Sequence, residues 1–399
     1  MQSRPIFLFI PPMTMKKAVP IRLCCVILVA WLASGCGLAL FEPTPEPLVP
    51  TRTPAAGEAV AQSSTATAPA PTTAPAATPT PDAIPLLTAG EAAVLERIGI
   101  AGSLDHVEPA ARLGLRAGQF TFWRVSPELP DAPGTAIWQT VRLGQIEEWA
   151  QWPAVQDEMA RTLRDHPGGF WLIGNEPDVI WQDNATAEEY AAAYHDIYEF
   201  IKSRDPTAQV GAGGVSLPTP LRLAYLDNVL AAYRDRYGVA LPADLWAVHL
   251  FVLREEAGSW GIDIPPGMDA TSGALHEIAD HGDLALMQGY VVAFRDWLAA
   301  NGYSDKPLAV TEFGILLPED YGFPPEFVQS YLVEAYEYFR TASGPTGLAA
   351  DGGRLVQYAF WFSLYDDGEY PTGNLYDAER DALTPLGEVY RAYVDGLTP

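Results

Sequence analysis

From residue 86 onward, short apolar runs alternate with helix-like stretches. Eight runs read as strands: Arg97–Ala101, Phe120–Val125, Ile137–Arg142, Phe170–Asn175, Gln209–Gly213, Leu245–Phe251, Leu308–Glu312 and Leu355–Trp361. Helical patterns cover Glu188–Ser203, Leu221–Tyr237, Leu284–Asn301, Pro325–Arg340 and Pro385–Val394. Strands separated by helices cannot be joined as hairpins, so they run parallel. At this length the usual solution is a single α/β (β/α)8 TIM barrel. The competing solution is an open doubly wound sheet. That fold carries a glycine-rich phosphate turn after its first strand, and Gly99-Ile100-Ala101-Gly102 lacks the third glycine.

The first 85 residues differ in kind. Lys16, Lys17 and Arg22 precede an apolar run, Leu23–Ala33, which is too short to span a bilayer as a helix and suits a signal peptide. Leu32-Ala33-Ser34-Gly35-Cys36 resembles a bacterial lipobox, which implies cleavage and lipidation at Cys36. An ordinary secretory signal is the alternative. Residues 42–85 are dense in Pro, Thr and Ala and cannot bury enough apolar surface to fold. The expected organisation is a signal at 1–35, a lipidated disordered tether at 36–85 and a barrel at 86–399. The product would be exported and lipid-anchored to the bacterial cell membrane, facing away from the cytoplasm.

A net charge of −26 disfavours nucleic acid and anionic membrane surfaces, so membrane contact is expected through the lipid alone. All three cysteines lie at or before Cys36, which leaves the barrel without disulfides or thiolate metal sites. His276 and His281 are five apart, not the four that a helical zinc pair needs. Neither a metal nor a cofactor is expected.

Two strands end on glutamate. One reads Phe170-Trp171-Leu172-Ile173-Gly174-Asn175-Glu176-Pro177; the other reads Leu308-Ala309-Val310-Thr311-Glu312-Phe313-Gly314. Chemistry in such barrels sits at the C-terminal ends of the strands. Strict alternation puts Leu308, Val310 and Glu312 on one face, and Phe170, Leu172 and Glu176 on one face. Asn175 then points the other way unless the strand end is bulged. Two carboxyls in a low-dielectric mouth can divide into an acid and a nucleophile, which is what glycosidic bond cleavage requires.

Asn-Glu-Pro on the fourth strand, Thr-Glu-Phe-Gly on the seventh, a histidine on the sixth and a tryptophan on the eighth resemble clan A of the glycoside hydrolases. The branches it resembles are endo-β-1,3-glucanase-like and β-xylosidase-like. The resemblance implies a retaining hydrolase of a β-linked polysaccharide or oligosaccharide. Glu176 would be the acid/base and Glu312 the nucleophile. Asn175 would bond the sugar 2-hydroxyl, His249 would stand near the site, and Trp361 would form a platform under the sugar. Arg124, in Phe122-Trp123-Arg124, would support the nucleophile, and Trp181 is a further sugar-contact candidate. Many relatives carry a tyrosine two residues after the sixth-strand histidine, bonded to the nucleophile; here that position is Phe251. A non-catalytic carbohydrate-binding lipoprotein is therefore a second reading, and a two-lobed solute-binding lipoprotein a third. Glu255, Glu256, Asp366 and Asp367 read as solvated loop charges, and His195 as a structural helix residue.

Overall fold

The computed structural model describes residues 93–144, 150–368 and 370–397. The expected signal, Cys36 and the expected tether lie outside the described residues.

The barrel strands are β1 (Ile98–Ala101), β2 (Gln119–Thr121), β3 (Ala136–Val141), β4 (Phe170–Ile173), β5 (Gln209–Val215), β6 (Leu245–His249), β7 (Leu308–Phe313) and β8 (Tyr358–Phe362). Every neighbouring pair is parallel, and β1 pairs with β8 in the register Ile98↔Ala359 to Ala101↔Phe362. That last pairing closes the sheet and rules out the open doubly wound alternative. The longer helices around it are α1 (Val107–Arg112), α2 (Gln156–Asp165), α3 (Ala187–Arg204), α4 (Pro220–Tyr237), α5 (Leu284–Ala300), α6 (Pro325–Thr341) and α7 (Pro385–Leu397). Their starts follow local chemistry. Thr186 and Glu189 form a reciprocal capping box at α3, and Thr219 caps α4 with Pro220 in the first turn.

The second strand is shorter than expected, because the chain leaves the sheet after Thr121 and turns at Trp123 and Arg124. The last strand starts later than expected, at Tyr358. Before it, the Gly- and Pro-bearing segment Ser343–Leu348 forms a short extended arm that alternation had not revealed.

Inside the barrel, Trp138 stacks on Phe170 at 4.4 Å and meets Tyr358 and Phe360 edge-on at 5.2 and 5.0 Å. This aromatic cluster fills the lower interior, and the Trp138 indole N–H donates to Gln119 Oε1 at 2.7 Å. Outward-facing Trp246 packs edge-on against Trp297 of α5 at 5.1 Å.

The pairing overturns strict alternation on β7. Trp246 pairs with Leu308 and Val248 with Val310, so Leu308 and Val310 face outward toward the helices. His249 then pairs with Glu312, not Thr311. The partner on the other side shows the same extra residue, with Val310↔Ala359 followed by Phe313↔Trp361. This bulge at Thr311 turns Glu312 back to the interior, and bulges commonly re-aim a side chain in this way. A second irregularity falls on β5 between Ala212 and Val215, at Gly213-Gly214.

Candidate active site

Glu176 follows β4 in a tight turn. Gly174 has φ +81° and Glu176 itself has φ +44°, a left-handed conformation that costs a side-chain-bearing residue roughly 1–3 kcal/mol. Several bonds hold it there. The Glu176 N–H donates to Gly214 O at 2.9 Å, and the Asn175 N–H donates to Asp183 Oδ2 at 2.7 Å. From outside, the Tyr190 hydroxyl donates to Ile173 O at 2.8 Å and accepts from the Gly213 N–H at 2.9 Å, tying β4 to β5.

Two buried ion pairs flank this turn. On one side Arg142, just past β3, binds Asp183 Oδ1 through Nε at 2.6 Å and Gln182 Oε1 through Nη2 at 2.8 Å. On the other, Arg222 in the first turn of α4 binds Asp178 Oδ2 through Nε at 2.6 Å and Glu255 Oε1 through Nη1. Its Nη2 reaches Ile262 O at 2.9 Å. The Ser216 hydroxyl also donates to Asp178 at 2.9 Å. One guanidinium therefore ties together the loops after β4, β5 and β6. Burial pushes the carboxyls of Asp178 and Asp183 up, and the nearby guanidinium opposes it in each case. Glu255 corrects the sequence reading: it is fully buried in this clamp. Glu256, its neighbour, is instead part-exposed and paired with Arg254 at 2.6 Å.

Glu312 stands on the bulge of β7 and His249 at the end of β6. The His249 Nδ1 lies 2.9 Å from Glu176 Oε1, and its Nε2 lies 3.4 Å from Glu312 Oε1. One imidazole thus spans the gap between the two carboxylates. The Trp123 indole N–H donates to Glu312 Oε1 at 2.6 Å. Burial pushes the Glu312 carboxyl up to about 7; His249 opposes the shift, the charge on Glu176 adds to it, and the Trp123 bond and Arg142 oppose it. For His249, burial presses downward, but the charge on Glu312 and the bond and charge of Glu176 outweigh it, so its pKa rises.

Gly214 makes room for the imidazole. A Cβ there would lie 2.6 Å from His249 Cδ2 and 3.1 Å from Thr311 Oγ1. Gly214→Ala is expected to displace the ring and break its span between Glu176 and Glu312, read as a shift of the His249 imidazole resonances, with circular dichroism unchanged. Unshifted imidazole resonances in that variant would mean that the ring does not depend on the space Gly214 leaves.

The structure brings Glu176, Glu312, His249 and Asn175 together at one end of the barrel. It does not bring Arg124 or Trp361 with them. Arg124 is half-buried and makes no side-chain hydrogen bond or ion pair among the described residues. The neighbouring Trp123 makes the contact with Glu312 instead, continuing the inward-facing series of Gln119 and Thr121. Trp361 is fully buried on the outer side. Its ring packs on Phe313 at 5.4 Å and its indole N–H donates to Gly373 O at 2.7 Å. The next residue, Phe362, faces inward, 5.7 Å from both Trp123 and Phe251. Trp181 lies in the loop after β4, partly exposed, with its indole nitrogen buried and without a partner among the described residues.

The Asn175 amide nitrogen and Arg142 Nη1 are likewise buried without a partner among the described residues. Buried donors in folded proteins are rarely left so. Two histidines away from this site are held by structural contacts. His195 Nδ1 lies 2.9 Å from the Tyr233 hydroxyl, and its ring stacks on Tyr237 at 3.7 Å. His281 is buried, with Nδ1 3.0 Å from Val252 O and Nε2 accepting from the Leu316 N–H at 2.9 Å. Burial lowers its pKa to about 4. No group of three or more potential metal ligands occurs among the described residues.

No family model and no curated protein matches the chain. Among solved structures, a GH128 (subgroup III) curdlan-specific exo-β-1,3-glucanase from Blastomyces gilchristii is similar at TM-score 0.50 and 17% identity, over 76% of this chain and 99% of that one. A GH128 (subgroup II) endo-β-1,3-glucanase from Pseudomonas viridiflava is similar at 0.49 and 20%, over 74% and 97%. A GH128 (subgroup VII) oligosaccharide-binding protein from Trichoderma gamsii is similar at 0.48 and 13%, over 75% and 94%. At such identity the likeness is one of architecture: the chain shares the (β/α)8 barrel fold of these structures.

Proposed function

We propose that the protein is a retaining glycosidase acting on a β-linked glucan. The observation that carries the two-carboxylate part of this reading is the bridge of one imidazole between two buried glutamates at the ends of β4 and β7; retention is what the resemblance of the two glutamate motifs implies. Glu176 serves as acid/base. Its bond to His249 survives both protonation states, as carboxyl O–H to imidazole nitrogen or as imidazole N–H to carboxylate, as a cycling acid/base requires. Glu312 attacks the anomeric carbon while Glu176 protonates the leaving oxygen; Glu176 then deprotonates the water that releases the sugar. Asn175 offers its amide, unpartnered among the described residues, to a substrate oxygen.

β-1,3-Glucan is the first polymer to offer, since the Blastomyces gilchristii structure is that of a curdlan-specific exo-β-1,3-glucanase. The test is release of new reducing ends from β-1,3-glucan, other β-glucans and xylan, with proton NMR of the first anomer formed. Activity lost in Glu176→Gln and Glu312→Gln, with the product formed as the β-anomer, supports the reading. A folded protein that binds oligosaccharides and cleaves none would instead be a carbohydrate-binding barrel. Asn175→Ala separates a substrate contact from a structural one. We expect kcat/KM to fall on the order of tenfold or more with the thermal midpoint unchanged, because the side chain's amide nitrogen has no partner to lose and the backbone bond to Asp183 remains.

A further inference from the structure

Glu312 Oε1 receives the Trp123 indole N–H at 2.6 Å, and His249 Nε2 stands 3.4 Å from that same oxygen. No donor reaches Oε2 among the described residues. The sixth-strand position that would supply a tyrosine hydroxyl is Phe251, whose ring stands 5.7 Å from Phe362, as does Trp123's. Around the carboxylate this wall is apolar, and the indole is its one neutral donor among the described residues.

We propose that Trp123 is the positioning residue of the nucleophile: it anchors Glu312 Oε1, so that Oε2 is the oxygen that bonds to the anomeric carbon. This rests on the glycosidase reading above. An indole N–H only donates and does not ionise in the working range. It therefore stays a donor through the whole cycle. In the first step the Oε2–carbon bond forms as the bond from carbon to the leaving oxygen breaks, and that oxygen takes the Glu176 proton. Oε1 then becomes the ester carbonyl oxygen and still accepts from Trp123. In the second step water, losing its proton to Glu176, adds to the carbon and Oε2 departs as carboxylate. Fixing Oε1 also sets the rotation of the carboxylate, so Oε2 need not search for its line of attack.

The charged groups acting on Glu312 are His249 from β6, Glu176 from the β4 turn and Arg142 from the end of β3. None is altered by Trp123→Phe, which keeps a ring against Phe362 and deletes only the donor. The expected result is a fall in kcat on the order of 10²-fold on a short aryl β-glucoside, with KM nearly unchanged. The acid limb of kcat/KM should move to higher pH. Independently of turnover, the 13C carboxyl resonance of Glu312, identified by its loss in Glu312→Gln, should titrate at higher pH in Trp123→Phe. Trp123→His, which restores a ring N–H, should recover part of both effects and serves if the phenylalanine variant does not fold. A Glu312 titration midpoint unmoved by loss of the indole overturns the proposal, as does a change confined to KM. If the midpoint moves while the wild-type protein cleaves no glycoside, the glycosidase reading has failed and the Trp123–Glu312 contact alone remains.

Discussion

Glu312→Gln is expected to lower turnover on the order of 10³-fold or more and, at pH 8, to make the protein more stable than wild type. The two effects share one cause. The carboxyl is buried beside the charge of Glu176, and its pKa is raised from an ordinary 4.5 to about 7. A group whose folded pKa exceeds its unfolded one binds its proton more tightly when folded. Stability is then highest below pH 4.5 and falls as pH rises through 7. Above that window the penalty is about 3 kcal/mol. The raised pKa of His249 works in the same direction, since the stability it contributes is present below its unfolded value of 6.5 and is lost as pH rises through its folded one. A neutral glutamine of the same shape removes the Glu312 penalty. Thermal melts at pH 4.5 and pH 8 check this: the variant should melt several degrees above wild type at pH 8 and near it at pH 4.5. A gain of equal size at both pH values would mean that charge burial is not the cause. Carboxylates retained at such a cost to stability are typical of reactive sites.

Arg222→Met is expected to destabilise the protein by about 3–5 kcal/mol, because it leaves Asp178 and Glu255 buried without their countercharge. In a barrel of this size that lowers the midpoint on the order of 10 °C. Activity should fall further than stability explains at temperatures where the variant is still folded. Asp178 is two residues from Glu176, and loss of its clamp frees the strained turn that holds the carboxylate. The triple variant Arg222→Met with Asp178→Asn and Glu255→Gln should regain most of the stability, since a buried cluster neutralised as a whole does not strand a charge. Measurement by denaturant unfolding of the three single variants and the triple decides it. If the triple variant is no more stable than Arg222→Met, the arginine contributes through packing and not through its charge.

Much of this protein is legible in the linear chain. Eight apolar runs separated by helical patterns specify a parallel barrel, because helix and strand periods are local and each strand must bury both faces. Glu176 and Glu312 stand out for a related reason: a carboxylate at the end of a buried run is anomalous wherever it occurs. Tertiary structure decided the rest. Alternation put Glu312 on one face with Leu308 and Val310; pairing with β6 and β8 inserts Thr311 as a bulge and reverses that. Which of Trp123 and Arg124 reaches Glu312 depends on the register of β2 against β1, which turns Gln119 and Thr121 inward and Trp123 with them. Trp361 and Phe362 are equally aromatic, and the register against β1 assigns one outward and the other inward. Glu255 reads as a loop charge until Arg222, far from it in sequence, is folded beneath it. Each of these outcomes depends on a contact between distant segments, and the free energy of such contacts has no local signature in the sequence.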